Sequence, residues 1–152
     1  MTGRSIDKKE ISLRSLRIED YDKMITCWNK SGLPIKITGR DSKESIANQM
    51  QLSGSSFIGA FKGPRLVGLV LATYDGRRGW INRIAILPKY RRQGLAAKLI
   101  DKAEGFLKDE GAKVIAALID RSNSASRALF ERKGYSNNED MLYYSKRESA
   151  DA

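Results

Sequence analysis

The segment from residue 80 to residue 119 constrains the fold more than any other part of the chain. A strand pattern over residues 80–87 is stopped by Pro88. Leu95, Leu99, Ile100, Ala103, Phe106 and Leu107 then recur at helical spacing and form one broad apolar face. Gly111 is a natural C-terminal stop. Residues 114–119 are continuously apolar, the pattern of a strand buried on both faces. Strand, helix and strand in that order imply a right-handed crossover and parallel pairing. The expected class is α/β, and a length of 152 residues suits one domain with one hydrophobic core.

The remaining elements are read around this unit. Residues 1–10 read as a flexible arm, 11–145 as the single domain and 146–152 as a tail. A first strand is expected from Ile11 to Ile18, with its alternation interrupted near Ser15. Asp20 is placed to cap a helix carrying Tyr21, Met24, Ile25 and Trp28, which Gly32 and Pro34 end. Asp41 and Glu44 have capping-box spacing before a short second helix. Residues 56–61, 66–74 and 80–87 form an antiparallel meander joined by turns at Gly63-Pro64 and Asp75-Gly76. Ser122 or Asn123 can cap a last helix ending at Gly134, and residues 135–145 hold one or two terminal strands.

Composition removes several chemistries. The chain has no histidine and one cysteine, Cys27, so neither an intrachain disulfide nor a His-based triad can form. No metal site is expected. Cys27 reads as a buried helix residue. No stretch approaches the ~20 apolar residues of a membrane span, and residues 1–9 do not resemble a secretion signal, so a cytoplasmic location is expected by default. The net charge of +10 attracts anions without selecting among them.

The residues best suited to an anion lie after the strand of residues 80–87, in Pro88-Lys89-Tyr90-Arg91-Arg92-Gln93-Gly94-Leu95-Ala96. A helix beginning around Arg92 would expose unpaired N–H groups with aligned dipoles, an anion receptor. Gly94 allows close approach to the backbone. Lys89, Arg91 and Arg92 add positive charge. The glycine spacing of a nucleotide-binding P-loop or a dinucleotide fingerprint is absent. Read from the residues alone, the segment fits a diphosphate receptor and a solvated basic turn equally well.

Arg91-Arg92-Gln93-Gly94-Leu95-Ala96 resembles the acetyl-CoA signature of the GNAT N-acetyltransferases, Gln/Arg-x-x-Gly-x-Gly/Ala. Residues 123–135, from Asn123 to Tyr135, resemble that family's second block, Asn-x-x-Ala-x-x-Leu-Tyr-x-x-x-Gly-Phe/Tyr. Residues 74–80 are similar to a segment of uncharacterised bacterial and archaeal members of the YpeA type. The resemblance spans about residues 11–145. It implies a mixed central sheet with splayed parallel strands and flanking helices, and acetyl-CoA as acyl donor. By position, the amides of Arg92, Gln93, Gly94, Leu95 and Ala96 would hold the pyrophosphate with Arg91 beside them. The strand around Ile84, Ala85 and Ile86 would guide the pantetheine arm, and Asn123, Arg127 and Phe130 would lie along the cofactor. Many proteins of this kind form homodimers, although no stripe in this sequence requires one.

The catalytic groups are less defined. Many relatives acetylating protein N termini carry glutamate where this chain has Leu118, and the usual tyrosine acid falls at Phe130. Asp75, Asp120, Tyr143 and Tyr144 are the remaining candidates for base, acid or oxygen donor. Trp28, Pro34, Asn82 and Arg83 are the candidate acceptor-binding residues. Asn82 and Arg83 straddle the strand, so one should face the cleft, and Arg83 there would favour a carboxylate-bearing acceptor. The expected function is transfer of an acetyl group to an amine of a small molecule, peptide or protein. Alternatives are a non-catalytic CoA-binding sensor or partner protein, and a basic nucleic-acid or ribosome-binding module, which the lack of interleaved aromatics disfavours.

Overall fold

The structure is a computed structural model that describes residues 11–152; the arm expected over residues 1–10 lies outside the described residues. Its centre is a five-stranded sheet in the order β1-β2-β3-β4-β5. The strands are β1 (Ile11–Ser15), β2 (Ser55–Lys62), β3 (Arg65–Tyr74), β4 (Gly79–Ile86) and β5 (Ile115–Ala117). Neighbours from β1 to β4 are antiparallel, and β4 pairs β5 in parallel. Helices α1 (Tyr21–Ser31) and α2 (Lys43–Met50) lie between β1 and β2 in the chain. Helix α3 (Leu95–Glu110) makes the crossover from β4 to β5, and α4 (Ser124–Arg132) follows β5.

Successive β3 residues from Leu66 to Ala72 are buried, so this strand is covered on both faces. The wholly buried Leu99, Ile100, Ala103 and Leu107 of α3 supply one cover, and Met24, Cys27 and Trp28 of α1 supply another. Each such large side chain contributes about 1.5–3 kcal/mol of transfer free energy. Gly68 lets α3 come close. A Cβ there would lie 2.7 Å from Ile86 Cδ1 and 3.4 Å from Leu99 Cδ1.

Several expectations are corrected. The first strand stops at Ser15, because Asp20 accepts bonds from Arg14 Nη1 and Nη2 at 2.9 and 3.0 Å and folds the chain into a short 3₁₀ turn. Asp20 occupies the N-cap position of α1, but its carboxylate accepts the amide of Arg17 rather than a helix amide. The cap of α2 is Ser42, which accepts the amide of Ser45. Asp41 instead turns inward, at 2% exposure. The helix after Pro88 starts at Leu95, since left-handed Gly94 (φ 78°) ends the preceding loop. Residues 114–119 do not form a strand buried on both faces. Only Ile115, Ala116 and Ala117 pair, at the sheet edge, with Val114 and Leu118 exposed.

Residues 135–145 contain no strand; Met141, Leu142, Tyr143 and Tyr144 are exposed. Lacking a core-facing alternation, these side chains find no layer to pack against. The tail does make contacts. Lys36 Nζ donates to the carbonyl of Ala150 at 2.8 Å.

Candidate active site

One irregularity in β4 organises the site. Leu69 faces Ala85 and Leu71 faces Asn82, so Arg83 and Ile84 together oppose Val70. This is a β-bulge, and Arg83 adopts φ 56°, a left-handed conformation that costs a non-glycine residue about 1 kcal/mol. A bulge bends its own strand and sharpens the local twist. The parallel pairing of β4 with β5 covers Gly79, Trp80 and Ile81 and then stops. Beyond Ile81 no β5 residue pairs with β4, and the outward backbone of Ile84 and Ile86 lies past the paired stretch, with the Ile86 carbonyl accepting Arg91 Nε.

At the far end of β4 lies the loop of residues 88–94 expected to receive an anion. A 3₁₀ turn, Pro88–Tyr90, leads into Arg91, left-handed Arg92 (φ 63°) and left-handed Gly94. The amides of Arg92, Gln93, Gly94, Leu95, Ala96 and Ala97 have no acceptor among the described residues; the first intrahelical bond runs from Lys98 to the Gly94 carbonyl. The start of α3 thus presents successive bare N–H groups under the helix dipole. A Cβ built on Gly94 meets nothing within 4 Å, so the approach is open.

The expected cofactor residues divide by what they already hold. Arg91 donates from Nε to the Ile86 carbonyl and from Nη2 to the Ser31 carbonyl, each at 3.0 Å. It therefore straps the loop to β4 and α1. Arg92 and Gln93 are exposed, and Gln93 donates weakly to the Lys89 carbonyl at 3.3 Å. Asn123 caps α4 by accepting the Ser126 amide at 3.1 Å, which leaves its NH₂ group available. Arg127 donates to the Arg121 carbonyl. Phe130 is buried and packs edge-on against Tyr135, with centroids 4.9 Å apart. Ala85 and Ile86 are buried, and Ile84 sits in the bulge.

Trp28, Pro34, Asn82 and Arg83 all line one cleft of about 390 Å³, with Arg40, Asp41 and Leu118 among its other walls. Alternation had placed either Asn82 or Arg83 there. The bulge breaks the alternation and brings both. The Arg83 guanidinium lies 4.4 Å from the Trp28 ring centroid. Burial pulls its pKa below the usual arginine value, Asp41 opposes that shift and Arg40 adds to it. The group stays cationic at neutral pH. Sequence reasoning missed Asp41 as part of this cleft, because its spacing to Glu44 suggested a helix cap; an acidic residue 42 positions from Arg83 carries no local pairing signal.

The four expected catalytic residues do not converge on the cleft. Asp75 lies in the β3–β4 turn, at the opposite end of β4 from the anion loop. It accepts the amides of Arg78 and Arg77 and the indole N–H of Trp80, which hold its carboxyl down at about 2. Asp120 accepts the hydroxyl and amide of Ser122, and both lower its pKa. It follows Leu118 by two residues. Tyr143 and Tyr144 are 69% and 86% exposed in the segment without strand. Among the described residues there is no group of three or more His, Cys, Asp or Glu side chains suited to a metal ion, and no helix long and apolar enough to cross a membrane.

Comparison with solved structures gives the architecture a name. The PaiA N-acetyltransferase of Thermoplasma acidophilum in complex with coenzyme A superposes with a TM-score of 0.74 at 23% identity, covering 83% of this chain and 89% of that one. AAC(6')-Iy in complex with the bisubstrate analogue CoA-S-monomethyl-acetylneamine gives 0.73 at 16% identity, covering 90% and 98%. Ribosomal-protein-alanine N-acetyltransferase of Brucella melitensis biovar Abortus 2308 gives 0.68 at 18%, covering 91% and 99%. A mixed central sheet flanked by helices, as here, is the GNAT fold. The chain belongs to the acetyltransferase (GNAT) family, which it matches over residues 19–135.

Proposed function

We propose that this protein transfers an acetyl group from acetyl-CoA to an amine. The observation that carries the reading is the run of free amides from Arg92 to Ala97 at the end of a strand whose pairing with β5 stops at Ile81. Bare N–H groups at a helix start suit a diphosphate. The stretch of β4 beyond Ile81 suits an extended amide-bearing arm that adds to the sheet like a strand. The thioester then lies between β4 and β5, next to the cleft that holds Arg83.

In the reaction the amine nitrogen attacks the thioester carbonyl carbon. The C–S bond breaks, CoA leaves as thiolate and takes up a proton, and the amine's surplus proton passes to water. Neither Leu118 nor Phe130 can serve as base or acid. Asp75, Asp120, Tyr143 and Tyr144 lie outside the cleft lining, so solvent is assigned that proton. Placement of the two reactants supplies most of the remaining rate. Residues 74–80 further support a place among the YpeA-like members.

The test is thermal shift and calorimetry of the purified chain with CoA and acetyl-CoA, followed by thiol release over a panel of small amines, amino acids and peptides. Stabilisation by both cofactors and saturable thiol release are expected. No stabilisation by either would overturn the proposal. A second reading, a CoA-binding protein without turnover, is favoured by Leu118 in the cleft wall and by the burial of Phe130. Tight cofactor binding with no transfer to any amine would select it.

A further inference from the structure

The cleft that holds Arg83 has more hydrogen-bond donors than it can satisfy. Arg83 is 18% exposed and uses Nη2 on Asp41; Nη1 has no acceptor among the described residues. Arg83 Nε and Trp28 Nε1 are both buried without a partner, and Trp28 is 0% exposed. A buried N–H left unpaired costs about 1–3 kcal/mol, so native structures rarely keep two together. Here both belong to one stacked pair in one wall.

Charge points the same way. Arg40 and Arg83 bring two cations to the cleft, whereas Asp41 is its one acidic wall residue. Asp41 is already committed: its Oδ2 accepts the amide of Lys36 at 2.7 Å and Arg83 Nη2 at 3.1 Å. The site therefore lacks an acceptor that is itself anionic and compact enough to meet the N–H edge of a guanidinium. A carboxylate has that geometry. The other walls mix apolar Leu33, Ile46, Phe57 and Leu71 with the amides of Gln49 and Asn82.

We infer that the acceptor amine is an amino acid, its carboxylate held by Arg83 against Trp28. The inference rests on the acetyl-transfer reading, since it makes the cleft the acceptor site. Trp28 acts by positioning: it fixes the guanidinium plane. Asp41 holds Arg83 from behind.

The test separates the inference from the reading on which it rests. With the full chain and saturating acetyl-CoA, leucine and phenylalanine are compared with leucinamide, phenylalaninamide and the decarboxylated amines. At least a thirtyfold preference in kcat/KM for the free acids is expected. Independently of turnover, calorimetry in the presence of CoA compares the product N-acetyl-leucine with N-acetyl-leucinamide. The acid is expected to bind and the amide not. In R83Q the discrimination is expected to fall to a few-fold, chiefly through KM. If R83Q does not fold, the acid-against-amide comparison in the unaltered chain still decides. Equal use of acids and amides, or a preference that survives in R83Q, overturns the inference and leaves acetyl transfer standing. Selective binding of N-acetyl-leucine without transfer to any amine upholds the carboxylate site and overturns the enzyme reading. Failure of both N-acetyl compounds to bind, with no turnover of either acid, overturns the inference.

Discussion

Asp41 and Arg83, brought together from α2's approach and the bulge of β4, form an ion pair at 3.1 Å in which the carboxylate is 3% exposed. Removing one partner of such a pair strands the other. D41A is expected to cost about 3 kcal/mol. D41N keeps an acceptor for the Lys36 amide and is expected to cost about half as much. The double variant D41L/R83M, with both charges gone, is expected to lose less than D41A. Urea denaturation of the three variants checks the order.

Gly94 and Arg92 share a left-handed backbone but respond differently to substitution. G94A meets no steric obstacle, so its cost is conformational, about 1 kcal/mol, or roughly 3 °C in Tm for a chain of this size. Its methyl also enters the approach to the free amides, and CoA affinity is expected to fall at least tenfold. R92G relieves its own strain and is expected to leave Tm nearly unchanged. Thermal melts with and without CoA distinguish the two effects.

Acid stability is expected to depend on Asp20. Hydrogen bonds from Arg14, and then from the Arg17 amide, lower its carboxyl from 3.8 to about 2. A depressed folded-state pKa adds stability that is fully present above the unfolded value and lost as pH falls through the folded one. The contribution, roughly 1–2 kcal/mol, should be complete at pH 5 and fade between pH 4 and pH 2. Urea midpoints across that range should fall more steeply for the unaltered chain than for D20N.

Cys27 is wholly buried, and burial pushes its thiol up to about 11. The native protein is expected to resist thiol reagents at pH 8 and to react stoichiometrically once unfolded in urea. A colorimetric thiol assay of turnover will then read released CoA alone, and a protein-only blank checks this.

The outer edge of β5 has no partner strand among the described residues, and Met141, Leu142, Tyr143 and Tyr144 stand exposed in the chain beyond it. Open edges and contiguous apolar side chains promote association. Sedimentation should show concentration-dependent pairing of copies, and L142S/Y144S should weaken it by at least fivefold.

The meander and the crossover helix were legible because each rests on local pattern: apolar runs between turn residues in β2 and β3, helical spacing from Leu95 to Leu107, glycines at the stops. Features that depend on distant partners were not. The bulge at Arg83 arises from pairing with β3, and its consequence, two neighbouring residues in one cleft, contradicts the alternation that the residues themselves suggest. Asp41 looked like a cap because its ion-pair partner comes from β4. The apolar run at residues 114–119 could not reveal that only Ile115, Ala116 and Ala117 would find a neighbour.

The extra residue in β4 also makes the strand's length matter more than its composition. Deleting Ile84 would restore one-to-one facing with β3 and turn Asn82 and Arg83 to opposite faces of the sheet. Only one of them could then reach the cleft, and the pair between Arg83 and Asp41 would be at risk. One amino acid separates a regular strand from one that presents two neighbours on the same side, and the natural chain keeps the less regular version.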